Sequence, residues 1–344
     1  MSLRDEIREQ PDVVRRLLVD ARGHVEAIGR ALVGREIDTI VIAARGTSDH
    51  AAIYAQYAFG VRHRLPVALA APSIVSLYGV EPRLSRALVI GISQSGASPD
   101  VVGIVAAGRR QGAPTIAITN EPQSPLAAAA EFTIDLRAGA ERAVAATKTY
   151  TAELAAIALL SAVMSGDAAD LRALAAVPDA IAEALDAEGE CQAAARDLAT
   201  IETCTVLGRG FEYATAREWA LKLKELAYVL ADPYSAADFQ HGPIALVHAH
   251  SAVLIVAPAG HGAADLPTLA PRLAEYGADL LILSDDADLR ALARRAIRLP
   301  SGPPEWLMPI VSIVPAQLLA MHLALARGAD PEAPRHLTKV TSTT

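Results

Sequence analysis

Moving the first half of the chain forward by 164 residues lays it on the second half without a gap. Thr39-Ile-Val-Ile-Ala-Ala-Arg45-Gly46 falls on Thr203-Cys-Thr-Val-Leu-Gly-Arg209-Gly210, and Thr115-Ile-Ala-Ile-Thr-Asn120 falls on Asp279-Leu-Leu-Ile-Leu-Ser284. Val89-Ile-Gly-Ile-Ser93-Gln94-Ser95-Gly96 falls on Val253-Leu-Ile-Val-Ala257-Pro258-Ala259-Gly260. Three apolar strands that keep one register mark a duplicated unit rather than one long domain. The copies diverge in one respect that bears on function. One ends its second strand in serines and the other in alanine and proline, so the two halves are expected to work asymmetrically.

At 344 residues, with 52% hydrophobic and 20% charged, the chain has the length and apolar content of two well-cored globular domains. Aromatics make up only 4%, and alanine fills many helical positions, which favours close helix packing. The net charge of −8 and the absence of a basic run argue against a nucleic-acid partner, which would want a clustered cationic face. An anionic ligand would therefore need local donors, because the overall field opposes it. Cys191 and Cys204 lie in unlike contexts and read as buried thiols of a reducing compartment. The start, Met1-Ser-Leu-Arg-Asp-Glu-Ile-Arg-Glu-Gln10, is charged and helical in pattern, unlike a signal peptide. Apolar stretches such as 154–160 are too short to span a bilayer, so the expectation is a cytoplasmic protein with no membrane partner.

The pattern divides into a helical lead-in over 1–34, a first domain over 35–167, a helical connector over 168–200, a second domain over 201–330 and a tail over 331–344. Strands are expected at 38–44, 66–71, 87–92, 115–119 and 132–135, with helices at 48–62, 98–111 and 148–165. The second copy reads as strand 204–208, helix 213–231, strands 252–257, 279–284 and 296–299, and a helix near 309–327. Short apolar runs alternating with helices imply an α/β class, with parallel sheets covered on both faces. Right-handed crossovers put the functional loops beyond the carboxyl ends of the strands. Gly46-Thr47-Ser48 and the serines at 93–98 then converge on one edge of the first sheet.

Ser93-Gln94-Ser95-Gly96-Ala97-Ser98 follows a buried strand and opens a helix. Unpaired N–H groups and hydroxyls there can hold a phosphate without a lysine. Serines are also ordinary helix caps, but their clustering at two adjacent strand ends, absent from the sister copy, favours binding. The nucleophile elbow G-x-S-x-G fits Gly91-Ile-Ser93 only in part, because its closing glycine is missing. Gly208-Arg-Gly210 begins like a dinucleotide fingerprint whose third glycine is Tyr213, so no cofactor follows from it. On the stripe Trp219, Leu223, Leu226, Leu230, Lys222 and Glu225 share one edge, as an ordinary helix ion pair also would. Gly242-Pro243 leaves His241 in a loop. His248-x-His250 lacks a third ligand nearby, so no metal is expected.

Taken together, Ala44-Arg-Gly-Thr47-Ser48, Ser93-Gln-Ser-Gly, Val144-Ala-Ala-Thr147-Lys148, Leu221-Lys-Leu-Lys-Glu225, His241-Gly-Pro and Pro334-Arg-His-Leu-Thr-Lys339 resemble the isomerase half of glucosamine-6-phosphate synthase. That half is a tandem pair of sugar isomerase (SIS) domains, each a flavodoxin-like three-layer αβα sandwich. The resemblance covers essentially the whole chain, from Glu6-Ile-Arg-Glu-Gln-Pro11 onward. It implies that Thr47, Ser48, Ser93, Gln94, Ser95 and Ser98, with Val144, bind the sugar phosphate. It also implies that Glu225 moves the proton between C1 and C2, with Lys222 assisting. His241, from the partner of a homodimer, opens the ring, and Lys339 in the tail engages the carbonyl carbon. These residue types suit the chemistry. The synthase also has a glutaminase domain with a cysteine nucleophile, lacking in these 344 residues, so no glutaminase activity is expected. Ala146, Thr338 and Asp238 stand where the synthase typically has Ser, Ala and Glu. The expected activity is aldose–ketose isomerisation of an amino sugar 6-phosphate, with or without ammonia release. A fructosamine-phosphate-type deglycase and a non-catalytic sugar-phosphate sensor remain as alternatives.

Overall fold

The computed structural model describes residues 2–339. The first sheet contains β1 (Thr39–Ala43), β2 (Val67–Leu69), β3 (Ala87–Ile92), β4 (Thr115–Thr119) and β5 (Phe132–Asp135). Its order is β2-β1-β3-β4-β5, every pairing is parallel, and Ile40 lies opposite Leu88 and Ile90 opposite Ile116. The second sheet contains β6 (Thr203–Gly208), β7 (Leu230–Ser235), β8 (Ala252–Val256), β9 (Asp279–Ser284) and β10 (Arg295–Arg298). Its parallel order is β7-β6-β8-β9-β10, the same second-first-third-fourth-fifth sequence. Both sheets are flavodoxin-like, and in each the strand order reverses beside the first and third strands, where such folds bind their ligands.

Burial explains why these segments form strands. Every residue of β3, β4 and β8 is buried, as expected of parallel strands with helices on both faces. In the first sheet Val89 and Ala117 pack with Val101, Ile104 and Val105 of helix Pro99–Arg110. In the second, Val253, Ile255 and Ile282 pack with Leu266, Leu269 and Leu273 of helix Leu266–Glu275. Each such valine, leucine or isoleucine side chain, taken out of water, contributes about 1.5–3 kcal/mol. Helix Met308–Ala326 is buried on almost every side. Together with the turn before it, over Glu305–Ala326, it is long and apolar enough to cross a membrane, in contrast to the shorter stretches singled out in the sequence. Its apolar window is nevertheless 94% buried inside the protein, the mark of a core helix.

The chain forms two compact units. One holds the first sheet and comprises 12–141, 148–175 and, of the tail, Thr338 and Lys339. The other holds the second sheet and comprises 2–11, 142–147 and 176–337.

One expected element is corrected. The helix read as 213–231 is Glu212–Ala227, and the edge strand β7 follows it. Tyr228 ends the helix in the left-handed region at φ 57, its N–H donating to Leu223 O. No glycine announces that stop. Pro233 inside β7 disguises the strand, although proline is tolerated on an edge, and β7 pairs with β6 alone. The repeat held the missing signal, because β2 shifted by 164 residues falls inside β7.

Candidate active site

At the switch point of the first sheet, β1 leads through Ala44, Arg45 and Gly46 into helix Thr47–His63, and β3 leads through Ser93–Ser98 into helix Pro99–Arg110. Ser98 is the N-cap of the second helix, and Pro99 opens it. The serine loop folds on itself. Gly96 N–H donates to Ser93 Oγ at 3.2 Å, and Ala97 N–H donates to Ser95 Oγ at 3.3 Å. Ser93 is buried, whereas Gln94, Ser95, Ser98 and Thr47 are half-buried at the sheet edge. Arg45 donates to Asp100 at 2.6 Å and ties the two loops together. Ser48 Oγ donates to Glu153 Oε1 at 2.7 Å, so its proton is committed inward and only its oxygen can accept.

Lys339 joins this unit through Glu141, a residue the sequence reading did not single out. The Glu141 side chain is fully buried and accepts from Lys339 Nζ at 2.6 Å, Thr149 Oγ1 at 2.8 Å, Thr149 N–H at 3.1 Å and Gln94 Nε2 at 3.2 Å. One carboxylate therefore links the tail lysine to the serine loop. The lysine stands 198 positions from its partner, too far for any helix or strand spacing to reveal the pair.

Val144 is half-buried in the other unit. Its segment is held by the buried Glu6, whose carboxylate accepts from the N–H groups of Arg142 and Ala143, the latter at 3.2 Å. On helix Glu212–Ala227, Lys222 is buried between Glu225 Oε2 at 2.6 Å and Glu218 Oε1 at 3.2 Å. Burial alone would push the ammonium down, but Glu218 and Glu225 outweigh it and hold the Lys222 pKa above the usual lysine range. Glu225 keeps 22% of its side chain exposed, while Glu218 is fully enclosed. Glu218 was missed although its spacing, four residues before Lys222, was readable. His241 ends helix Ala236–Gln240 and is exposed. Its ring makes no hydrogen bond among the described residues.

Chemically, the first unit offers hydroxyls and helix N–H groups for an oxyanion, together with a carboxylate-bound lysine. The second offers a carboxylate beside a fixed ammonium, able to take and return a proton. Neither cysteine is a candidate nucleophile. Both are buried, burial pushes Cys204 up to about 12, and Cys191 points its thiol at Pro315 O.

The sequence pattern of the SIS domain family matches residues 35–163 and 197–327. A glutamine–fructose-6-phosphate aminotransferase (isomerizing) from Bordetella parapertussis is 35% identical over 98% of the chain. The chain spans only 57% of that relative's length. Among solved structures, a protein from Silicibacter pomeroyi DSS-3 described as a candidate phosphosugar isomerase is 34% identical, with a TM-score of 0.85, and covers 96% of this chain and 99% of its own. The C-terminal domain of glucosamine-fructose-6-phosphate aminotransferase from Francisella tularensis is 25% identical, with a TM-score of 0.83, over 95% of this chain and 96% of its own.

Proposed function

Because the chain belongs to the SIS domain family, we propose that it is a phosphosugar aldose–ketose isomerase whose substrate is a hexose 6-phosphate of the glucosamine or fructose type. The observation that carries this reading is the Glu218–Lys222–Glu225 cluster on a buried helix face. In it, a partly exposed carboxylate is held beside a cation that does not give up its proton. Glu225 would take the proton from one of C1 and C2 and return it to the other through an enediol. Lys222 would offset the charge that develops. The serine loop with Thr47 would hold the phosphate by hydroxyls and helix N–H groups. Lys339, delivered by Glu141, would engage the carbonyl end. His241, exposed and without a ring hydrogen bond among the described residues, suits ring opening in a second subunit of a homodimer.

The test is a panel of hexose and amino-hexose 6-phosphates, assayed for ketose formation and ammonia release. At least one is expected to turn over, and Glu225→Gln should lower kcat at least about 1,000-fold with KM little changed. An active wild type whose Glu225→Gln variant keeps most of its rate on every substrate would remove Glu225 from the proton transfer. A wild type inactive across the panel would favour a sensor.

A further inference from the structure

The shift relating the two copies carries Ser95 onto Ala259 and Ser98 onto Gly262. In the second copy the backbone N–H groups at both positions are already bonded to carboxylates. Ala259 donates to Asp285 Oδ1 at 2.6 Å, and Gly262 donates to Glu305 Oε1 at 2.7 Å. The Glu305 carboxylate is packed against bare backbone. A Cβ built on Gly260, whose φ is 155, would stand 2.5 Å from Glu305 Cδ. One built on Gly262 would stand 3.3 Å from Glu305 Oε1 and 2.8 Å from Arg209 O. The cradle therefore requires glycine at both positions. It joins the loop after β8 to the turn after β6, at the switch point where a doubly wound sheet takes an anionic ligand.

The surroundings repeat the first copy. Arg45, which pairs with Asp100, maps onto Arg209, which pairs with Asp265. Ser48 maps onto Glu212, and its bond to the long following helix survives with the two ends exchanged. Ser48 Oγ donates to Glu153 at 2.7 Å in one copy, and Ser312 Oγ donates to Glu212 at 2.7 Å in the other. The fully buried Glu212 carboxyl is pushed up to about 7 by that burial, and the charges of Glu305 and Asp285 add to the effect. A further anion entering here would meet carboxylates rather than hydroxyls.

We propose that the Gly260–Gly262 turn at the switch-point crevice of the second copy is an oxyanion site whose ligand is the chain's own Glu305, while Asp285 holds the neighbouring Ala259 N–H. The Glu305 side chain fills the cradle from within, and the external phosphate is left to the serine loop of the first copy. Removing that carboxylate opens a site for a tetrahedral oxyanion. This holds whatever sugar the protein takes.

The experiment compares wild type, Glu305→Ala and Glu305→Gln by thermal melting, in inorganic phosphate and in chloride at equal ionic strength. Glu305→Ala should melt below wild type in chloride and gain about 5 °C from phosphate beyond whatever phosphate adds to wild type. Glu305→Gln keeps an uncharged acceptor in the cradle and should show no such extra gain. The proposal is overturned if phosphate raises Glu305→Ala no more than wild type, or if Glu305→Gln gains as much as Glu305→Ala. Should Glu305→Ala fail to fold on expression, its refolding yield from urea replaces the melting temperature. A higher yield in phosphate supports the site, and an equal yield overturns it.

Discussion

Two glutamates on helix Glu212–Ala227 meet different surroundings and so have different chemistry. Glu225 lies beside the Lys222 ammonium and is partly wet, whereas Glu212 is buried with hydroxyl partners and one oxygen unbonded among the described residues. Burial, with added repulsion from Glu305 and Asp285, lifts the Glu212 carboxyl from 4.5 to about 7. The sign follows from proton counting. Between these two values the unfolded chain has lost the proton that the folded chain keeps, so stability falls as pH rises and then levels off. Across that window the loss attributable to Glu212 is at most about 3 kcal/mol. Glu212→Gln cannot ionise, so its stability relative to wild type should improve from pH 4.5 to pH 7.5 by that order. Urea midpoints of both proteins at the two pH values check it. A constant difference would mean that Glu212 is ionised in the folded protein.

At the scale of elements, the serine loop and the tail lysine are linked by Glu141, and each can be perturbed alone. Ser95→Ala/Ser98→Ala removes hydroxyls at the helix mouth without touching Glu225. It should raise KM for a sugar phosphate about tenfold or more while kcat changes far less. A fall confined to kcat would argue that the serines do not hold the phosphate. Glu141→Gln leaves an amide that can still bond Thr149 but no longer offsets the Lys339 charge. The segment 334–339 should then exchange its amides and be cut by trypsin about tenfold faster, and an unchanged tail would show that the pair does not hold it. The repeat made the duplication of one parallel α/β unit readable in the sequence, because three strands shared one shift, whereas the order of strands within each sheet is given by the pairing. The edge strand β7 was lost to Pro233 and to a helix stop at Tyr228 that carries no glycine. The candidate site was legible where neighbours in sequence are neighbours in space, as in Ser93–Ser98 and Lys222–Glu225. Glu141 with Lys339, Ser48 with Glu153 and Gly262 with Glu305 were not legible. Each joins residues far apart in the chain, and no local periodicity encodes such a contact.

At the scale of the molecule, duplication produced two copies of one sheet that have since parted in their loops. The first keeps hydroxyls at its switch point. The second carries carboxylates there and a buried Glu–Lys–Glu cluster on the helix after β6. What neither copy supplies to the exposed His241 ring is a hydrogen-bond partner among the described residues, which suits a histidine used by a second subunit. In a two-fold dimer each site would combine Glu225 of one chain with His241 of the other. His241→Asn and Glu225→Gln should each be nearly inactive alone on cyclic substrate. Co-expressed, they should form hybrid dimers in which one site has lost both groups and the other has regained both. If the two chains assort at random, the mixture recovers about a quarter of wild-type turnover. A mixture as inactive as its parents, from subunits shown to have exchanged, would place His241 in its own chain's site or outside catalysis. His241→Asn alone should spare open-chain analogues, since ring opening is the only step it would serve. Equal loss on cyclic and open-chain substrates would assign the histidine to the proton transfer instead.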